Sequence, residues 1–268
     1  MGGRLDATNV VTPLVSGITR ISLEHTMYLG PDVRTIALEK GGIIKNGRPV
    51  VCGAMDGEPM AVLRALAGER RSAFYEASAY TTIRLKSEDV GGMKVHVETE
   101  SQSYGDVLLP LAGRHQLENL ATVVTVVEVL ADVCGIPVEP KVVKKGLSGV
   151  LWPGRFQVLQ KEPLIILDGA HNPGAAAVLS DTIRTLLKNR PVGLVVGMCS
   201  DKDHGMFLKS FGGLVRKFWA IPLATARSTP APVIGGAARA LGWDVTESTL
   251  EEAVRDASSW ALRSGGVV

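Results

Sequence analysis

The sequence is short of cysteine. Cys52, Cys134 and Cys199 are odd in number, far apart and free of any CxxC spacing. That leaves no disulfide framework and points to a reduced, cytoplasmic setting. Long apolar runs are missing as well. Nothing approaches the roughly eighteen consecutive apolar residues of a membrane span, and the opening MGGRLDATNV lacks the charged and apolar regions of a signal peptide. There is no block of one charge either. The 29 basic and 27 acidic residues are dispersed and nearly cancel, which argues against a nucleic-acid partner. Internal repeats and low-complexity segments are absent.

What is present is enough apolar material, in 268 residues, for two cores. Residues 155–268 alternate strand and helix. RFQVLQ, PLIILD, PVGLVVG, KFWAIPL and WDVTES read as strands, and 174–190, 205–217, 232–241 and 250–264 carry apolar residues at helical spacing. This is the pattern of an α/β fold with a mostly parallel sheet covered on both faces. Ligands in such sheets sit beyond the carboxyl ends of strands, where Asp168 and Asp201 fall. Residues 1 to about 150 are more mixed. Helices are expected from GPDVRT to Lys40, over 58–71, over RHQLENLATVVTVVEVLADV and over 139–150. Strands are expected at RPVVCG, YTTIRLKS, MKVHVET and YGDVLLPL. LWPGRF is the candidate linker, dividing the chain into 1–152 and 153–268.

Four stretches carry possible chemistry. In LDGAHNP, Asn172 is a good N-cap and Pro173 suits the first helical position, so the helix start offers N–H groups to an anion. Asp168 is able to accept hydrogen bonds from a ribose and His171 to donate to a phosphate or carboxylate, but the same residues also make an ordinary strand–turn–helix corner with a surface histidine. GMCSDKDHG repeats that logic more weakly. His25, beside Glu24, is a possible ligand for a divalent cation. EKGG, at 39–42, by itself reads as a solvated charge pair at a glycine-closed helix end. No GxGxxG follows a strand and opens a helix, so a dinucleotide-binding dehydrogenase is poorly supported.

In order along the chain stand GGRLDATN, ITRISLEHT, LGPDVRTIALEKGGIIKNGRPVV, LAGRHQLEN, WPGRFQ, LDGAHNP, GMCSDKD and ARST. Together they resemble the folylpolyglutamate synthase/dihydrofolate synthase branch of the Mur ligase superfamily, over essentially the whole chain. The resemblance implies a central ATP-, magnesium- and folate-binding domain followed by a Rossmann-like glutamate-ligase domain. It also implies an ATP-dependent ligase that joins glutamate to a folate or dihydropteroate carboxylate through an acyl phosphate, in a monomer with no nucleic-acid or membrane partner.

By the same resemblance His25 is a magnesium ligand, and Lys40 a catalytic lysine open to carbamylation. Asn119, Arg155 and Asp168 are ATP-binding, and His171 lies near the phosphoryl-transfer centre. Asp6, Ala7, Thr8 and Asn9 line the pterin-substrate pocket, and Arg227 and Ser228 meet glutamate. Glu24 and Gly41 depart mildly from the family's aspartate and alanine. One departure is larger: the sequence contains no Gly-Lys dipeptide, hence no Walker A loop. In relatives that loop precedes the segment matching GGRLDATN, which here begins at residue 2, and RSGGVV stops where relatives enter a last strand. The expectation is a fragment lacking its front portion and final strand, inactive alone and with an exposed sheet edge. The alternative is a non-catalytic binding subunit. Whether the parent activity adds the first glutamate or extends a polyglutamate tail is left open by the sequence.

Overall fold

The computed structural model describes residues 3–21, 29–55 and 57–268. His25 and Glu24 lie outside them. The chain forms two compact units, one of residues 1–87, 93–110 and 114–150, the other of 88–92, 111–113 and 151–268.

In the first unit, strands β1 (Ser16–Ile18), β2 (Val50–Cys52) and β3 (Phe74–Glu76) form a parallel sheet in that order. Parallel neighbours need crossovers. Helix α1 (Val33–Gly41) lies between β1 and β2, and α2 (Glu58–Glu69) between β2 and β3. The Asp32 carboxylate accepts from the Thr35 N–H at 2.7 Å and starts α1. Ile18, Ile36, Val50 and Leu63 close the core between them. Neither β1 nor β3 is anticipated by sequence pattern, because SGI and FYE lack the continuous apolar run of the equally short β2.

A short helix α3 (Ala77–Tyr80) leads into a second sheet of β4 (Thr81–Asp89), β5 (Gly92–Thr99) and β6 (Ser103–Leu109), with β5 antiparallel to β6. Helix α4 (His115–Cys134) and the shorter α5 (Pro140–Ser148) complete the unit. Buried Glu128 of α4 accepts from Tyr104 Oη and Ser101 Oγ, both at 2.6 Å, and from Thr99 Oγ1 at 3.0 Å. Burial pushes this carboxyl up, but the hydroxyls outweigh it and leave it below the usual range.

The second unit is one wider sheet. β7 (Gln157–Lys161) runs antiparallel to β8 (Leu164–Leu167), while β9 (Val192–Val196), β10 (Val215–Ala220) and β11 (Val245–Glu247) are parallel. Residues 266–268 fill the slot between β8 and β9. Val268 N–H donates to Leu164 at 3.0 Å, and Gly193 N–H donates to Val267 at 2.8 Å. So the segment expected to stop short of a final strand is itself paired on both sides. Helices α6 (Pro173–Leu187), α7 (His204–Lys209), α8 (Ala231–Arg239) and α9 (Leu250–Ser264) flank the sheet. Phe207, Leu208, Phe211, Phe218 and Ile234 pack in one apolar cluster and Trp219, Ile221, Ala253 and Ala257 in another.

One helix differs from expectation. The apolar spacing of 205–217 predicts a single helix, but α7 ends at Lys209 and β10 begins at Val215. Gly213 takes φ 76° in the turn between them, a conformation that glycine adopts readily and that breaks the helix.

Two outcomes are expected. A Cβ on Gly193 would lie 2.7 Å from Trp260 Cζ3 and 2.9 Å from Trp219 Cζ3. Both rings are packed, so Gly193→Ala should destabilise the second unit by about 1–3 kcal/mol in urea unfolding. On the second sheet, His96 Nδ1 meets Asp106 Oδ1 at 2.9 Å and Nε2 meets Glu98 Oε1 at 3.1 Å. These bonds, Asp106 first, raise the imidazole above its ordinary 6.5. A raised histidine gives stability that is complete below the unfolded value and lost as pH climbs through the folded one. The melting midpoint should therefore decline as pH rises above 6.5, and His96→Gln should flatten that slope.

Candidate functional site

In the second unit, the corner after β8 is built around one carboxylate. Asp168 Oδ2 accepts from the Phe156 N–H and Oδ1 from the Ala170 N–H, both at 2.8 Å. The Gly169 N–H donates to the Gly154 carbonyl at 2.8 Å. These bonds tie the 154–156 turn to the strand end and hold Phe156 at φ 43°, uncommon for a bulky residue. Each carboxylate oxygen keeps a lone pair beyond its backbone bond. Asp168 is partly exposed, and Arg155 and His171 are exposed. His171 Nδ1 lies 2.9 Å from the Gly169 carbonyl, which orients the ring and leaves Nε2 outward. Asn172 Oδ1 accepts from the Ala175 N–H at 2.7 Å, with Pro173 as the first residue of α6. The corner thus brings Arg155, Asp168 and His171 into one neighbourhood beside a helix start.

A second loop pair lies in the same unit. The Ser200 N–H donates to the Arg227 carbonyl at 2.9 Å, and the Thr229 N–H donates to the Met198 carbonyl at 2.9 Å. Thr229 Oγ1 and His204 Nε2 are 2.9 Å apart. Ser228 Oγ accepts from the Leu223 N–H at 2.7 Å, so its hydroxyl holds the turn, while Arg227 is exposed. Asp201 is held below the usual carboxylate range, first by its hydrogen bond with Lys202 and last by the charge of Arg227.

In the first unit, the GGRLDATN segment lies on the end of α1. The Arg4 N–H donates to the Glu39 carbonyl at 2.7 Å, and its guanidinium reaches Glu39 Oε1 at 3.2 Å. Gly3, at φ 100°, would place a Cβ 2.7 Å from that same carbonyl, so only glycine fits there. Asp6 Oδ1 accepts from the Thr8 N–H at 3.0 Å and Thr8 Oγ1 at 2.6 Å, capping a short 3₁₀ turn over Ala7–Val10. Lys40 is half-buried in the last turn of α1. The structure therefore seats this segment on the turn that bears Lys40 through Arg4 and Asn9, whose Nδ2 donates to the Gly42 carbonyl at 3.4 Å, while Ala7 and Thr8 are exposed. Asn119, on the first turns of α4, is exposed and donates to Gln116 Oε1 at 2.8 Å.

Among the described residues no three His, Cys, Asp or Glu side chains converge as a metal shell, and His25 is not among them. Among them, too, no helix is long and apolar enough to cross a membrane. Sequence reading passed over Arg4, Lys45, Phe156 and Thr229, which hold the loops. All four lay in quoted motifs, and Arg4 and Lys45 carried a charge, but nothing local marked their partners.

A model of the Mur ligase glutamate ligase domain matches residues 154–268. The chain is 30% identical over 231 residues to a folylpolyglutamate synthase of Lacticaseibacillus casei, covering 86% of this chain and 54% of that protein. It is 33% identical over 210 residues to a dihydrofolate synthase/folylpolyglutamate synthase of Bacillus subtilis, covering 78% and 49%. Among solved structures, Mycobacterium tuberculosis folylpolyglutamate synthase complexed with ADP and AMPPCP superposes with a TM-score of 0.88 at 27% identity, over 100% of this chain and 63% of that one. Escherichia coli FolC in complex with DHPP and ADP gives 0.85 at 28% identity, over 100% and 60%. The chain spans about half the length of the curated relatives it matches. Its two units, both α/β, have the architecture of these enzymes, and the chain belongs to the folylpolyglutamate synthase/dihydrofolate synthase branch of the Mur ligase superfamily.

Proposed function

We propose that this chain supplies substrate-handling parts of an ATP-dependent amide ligase acting on a folate or dihydropteroate carboxylate and glutamate. The carboxylate takes the γ-phosphoryl of ATP, releasing ADP. The glutamate amine then attacks the acyl phosphate, phosphate leaves, and the amide forms. Both steps gather negative charge on transferring oxygens, so such chemistry depends on positioning and charge neutralisation. ATP and magnesium use accords with the family. The observation that carries the reading is the seating of the Gly3–Asn9 segment on the end of α1 that bears Lys40, through Arg4 on Glu39 and Asn9 on Gly42, segments that the family associates with the pterin pocket and with magnesium.

Within this reading the first unit serves ATP, magnesium and folate, and the second serves glutamate and part of the nucleotide. His25 is a magnesium ligand and Asn119 a nucleotide contact. Arg155 binds phosphate, and the spare lone pairs of Asp168 accept ribose hydroxyls. His171 faces the transferring group with Nε2, its Nδ1–H being committed to the Gly169 carbonyl, and Arg227 receives a glutamate carboxylate. Ser228 acts by shaping the Arg227 loop, since its hydroxyl is committed to Leu223. Lys40 acts at the phosphoryl-transfer centre, where carbamylation would convert its positive charge to a negative one. The absence of a Gly-Lys dipeptide from these residues favours a second reading, a binding subunit that works with a separate P-loop chain.

Calorimetry on the chain checks the site. ADP binding is expected, and Asp168→Asn should weaken it about tenfold, because an amide nitrogen facing Phe156 or Ala170 leaves a backbone N–H unpaired and turns the corner. Equal ADP affinity in the variant would reject the ribose role of Asp168. With dihydropteroate, glutamate, ATP and magnesium supplied, these 268 residues alone should show no glutamate-dependent ADP release. Turnover at enzyme-like rates would overturn the need for a P-loop.

A further inference from the structure

Lys45 lies in a stretch, IIKNGRP, that pattern reading leaves as a connection. Its backbone is anchored, with the carbonyl accepting from Ser72 Oγ at 3.0 Å and from the Arg48 N–H at 3.1 Å. Its ammonium group makes no ion pair among the described residues. It donates instead to two oxygens of one residue, the Asn9 carbonyl at 2.8 Å and Asn9 Oδ1 at 2.7 Å. A cation in that place decides which end of the Asn9 amide is oxygen. The amide nitrogen then faces the other way, donating to the Arg4 carbonyl at 2.9 Å and the Gly42 carbonyl at 3.4 Å.

Asn9 is thus engaged at both ends of its side chain, and both its amide hydrogens are used. It is a staple rather than a group open to a ligand. The turn it is stapled to is itself held from behind, since Arg70 Nη1 donates to the Gly41 carbonyl at 2.8 Å and also to that of Ile44. Arg70, the 41–45 turn, Lys45 and Asn9 form one continuous path from the end of α2 to the Asp6–Thr8 loop.

We infer that Lys45 is a positioning residue that, through Asn9, clasps the pterin-side loop onto the turn following Lys40 and so sets the loop's affinity for the pterin substrate. The inference rests on the ligase reading for its substrate and on geometry for the clasp. Charge-assisted hydrogen bonds are the strong ones. An arginine at this position would supply two parallel donors to the same two oxygens, whereas a methionine would leave both without their donor.

The test compares the wild-type chain with Lys45→Met and Lys45→Arg. The readouts are amide exchange at Thr8 and Asn9, thermal unfolding, and titration with dihydropteroate. Lys45→Met should speed exchange at both amides and weaken dihydropteroate binding by about tenfold each, with little change in the melting midpoint. Lys45→Arg should restore both. Unchanged exchange in the methionine variant, failure of arginine to rescue, or faster exchange with unchanged affinity would each overturn the inference. If the methionine variant does not fold, Asn9→Ala removes the clasp from the loop side and is judged by the same criteria. A wild-type chain that takes up no dihydropteroate overturns the substrate reading and with it the effect on affinity, while the exchange rates still decide whether the clasp exists.

Discussion

The unpaired backbone N–H groups left where strands end and helices begin are the constraint on which both units depend. An unsatisfied buried N–H is costly, so each such place needs an acceptor. Short polar side chains provide it at four helix starts, whereas α2, α4, α5 and α8 begin without a side-chain cap. Asp32 starts α1, Asn172 starts α6, Asp203 starts α7 and Thr249, in a capping box with Glu252, starts α9. Asp6 does the same for the 3₁₀ turn, and Asp168 does it twice over for the corner after β8. Two of the residues that satisfy the backbone, Asp6 and Asp168, are ones that the resemblance associates with ligands. At Asp168 the overlap has a simple basis: a carboxylate with more lone pairs than its backbone partners use can hold a loop and still accept from something else.

The first unit adds close approach. A loop can lie on a helix end at main-chain distance only where no Cβ intervenes. At Gly3 the contact is with the Glu39 carbonyl, and a Cβ on Gly42 would lie 2.5 Å from that of Arg4. Side chains then lock what the glycines permit: Arg4 to Glu39, Lys45 to Asn9 and Arg70 to the turn beneath. The second unit uses the same device at the middle of its sheet. A Cβ on Gly193 or Gly266 would strike the Trp260 ring, so the pairing of residues 266–268 between β8 and β9 depends on both positions staying small.

Much of the fold was legible before the structure. The alternation after residue 155 anticipated β8, β9, β10 and β11 and helices α6, α8 and α9, because apolar runs set between amphipathic helices leave a clear pattern. Helix α7 was overdrawn because apolar spacing continues across Gly212–Gly213 into β10, and spacing alone does not register a left-handed glycine. β1 and β3 were missed because SGI and FYE carry no continuous apolar run and are strands only through their neighbours. Of the site, LDGAHNP and GGRLDATN stood out through unusual residues at recognisable turns. Lys45 and Arg70 did not, since a lysine or arginine near a helix end is most often solvated and nothing local marks the few that reach across.

The sequence by itself determined the α/β class, the helix starts and the membership of this branch, because those rest on local period, capping chemistry and motif order. Only the tertiary structure decided which segments meet. It seated Arg4 and Asn9 on the end of α1 and the turn after Lys40, gave both Asp168 oxygens to the backbone, and set Asn9 between Lys45 and the Arg4 and Gly42 carbonyls. The physical reason is that such contacts join residues about twelve to thirty-six positions apart, and chain spacing carries no signal for hydrogen bonds that form only once the intervening elements have packed.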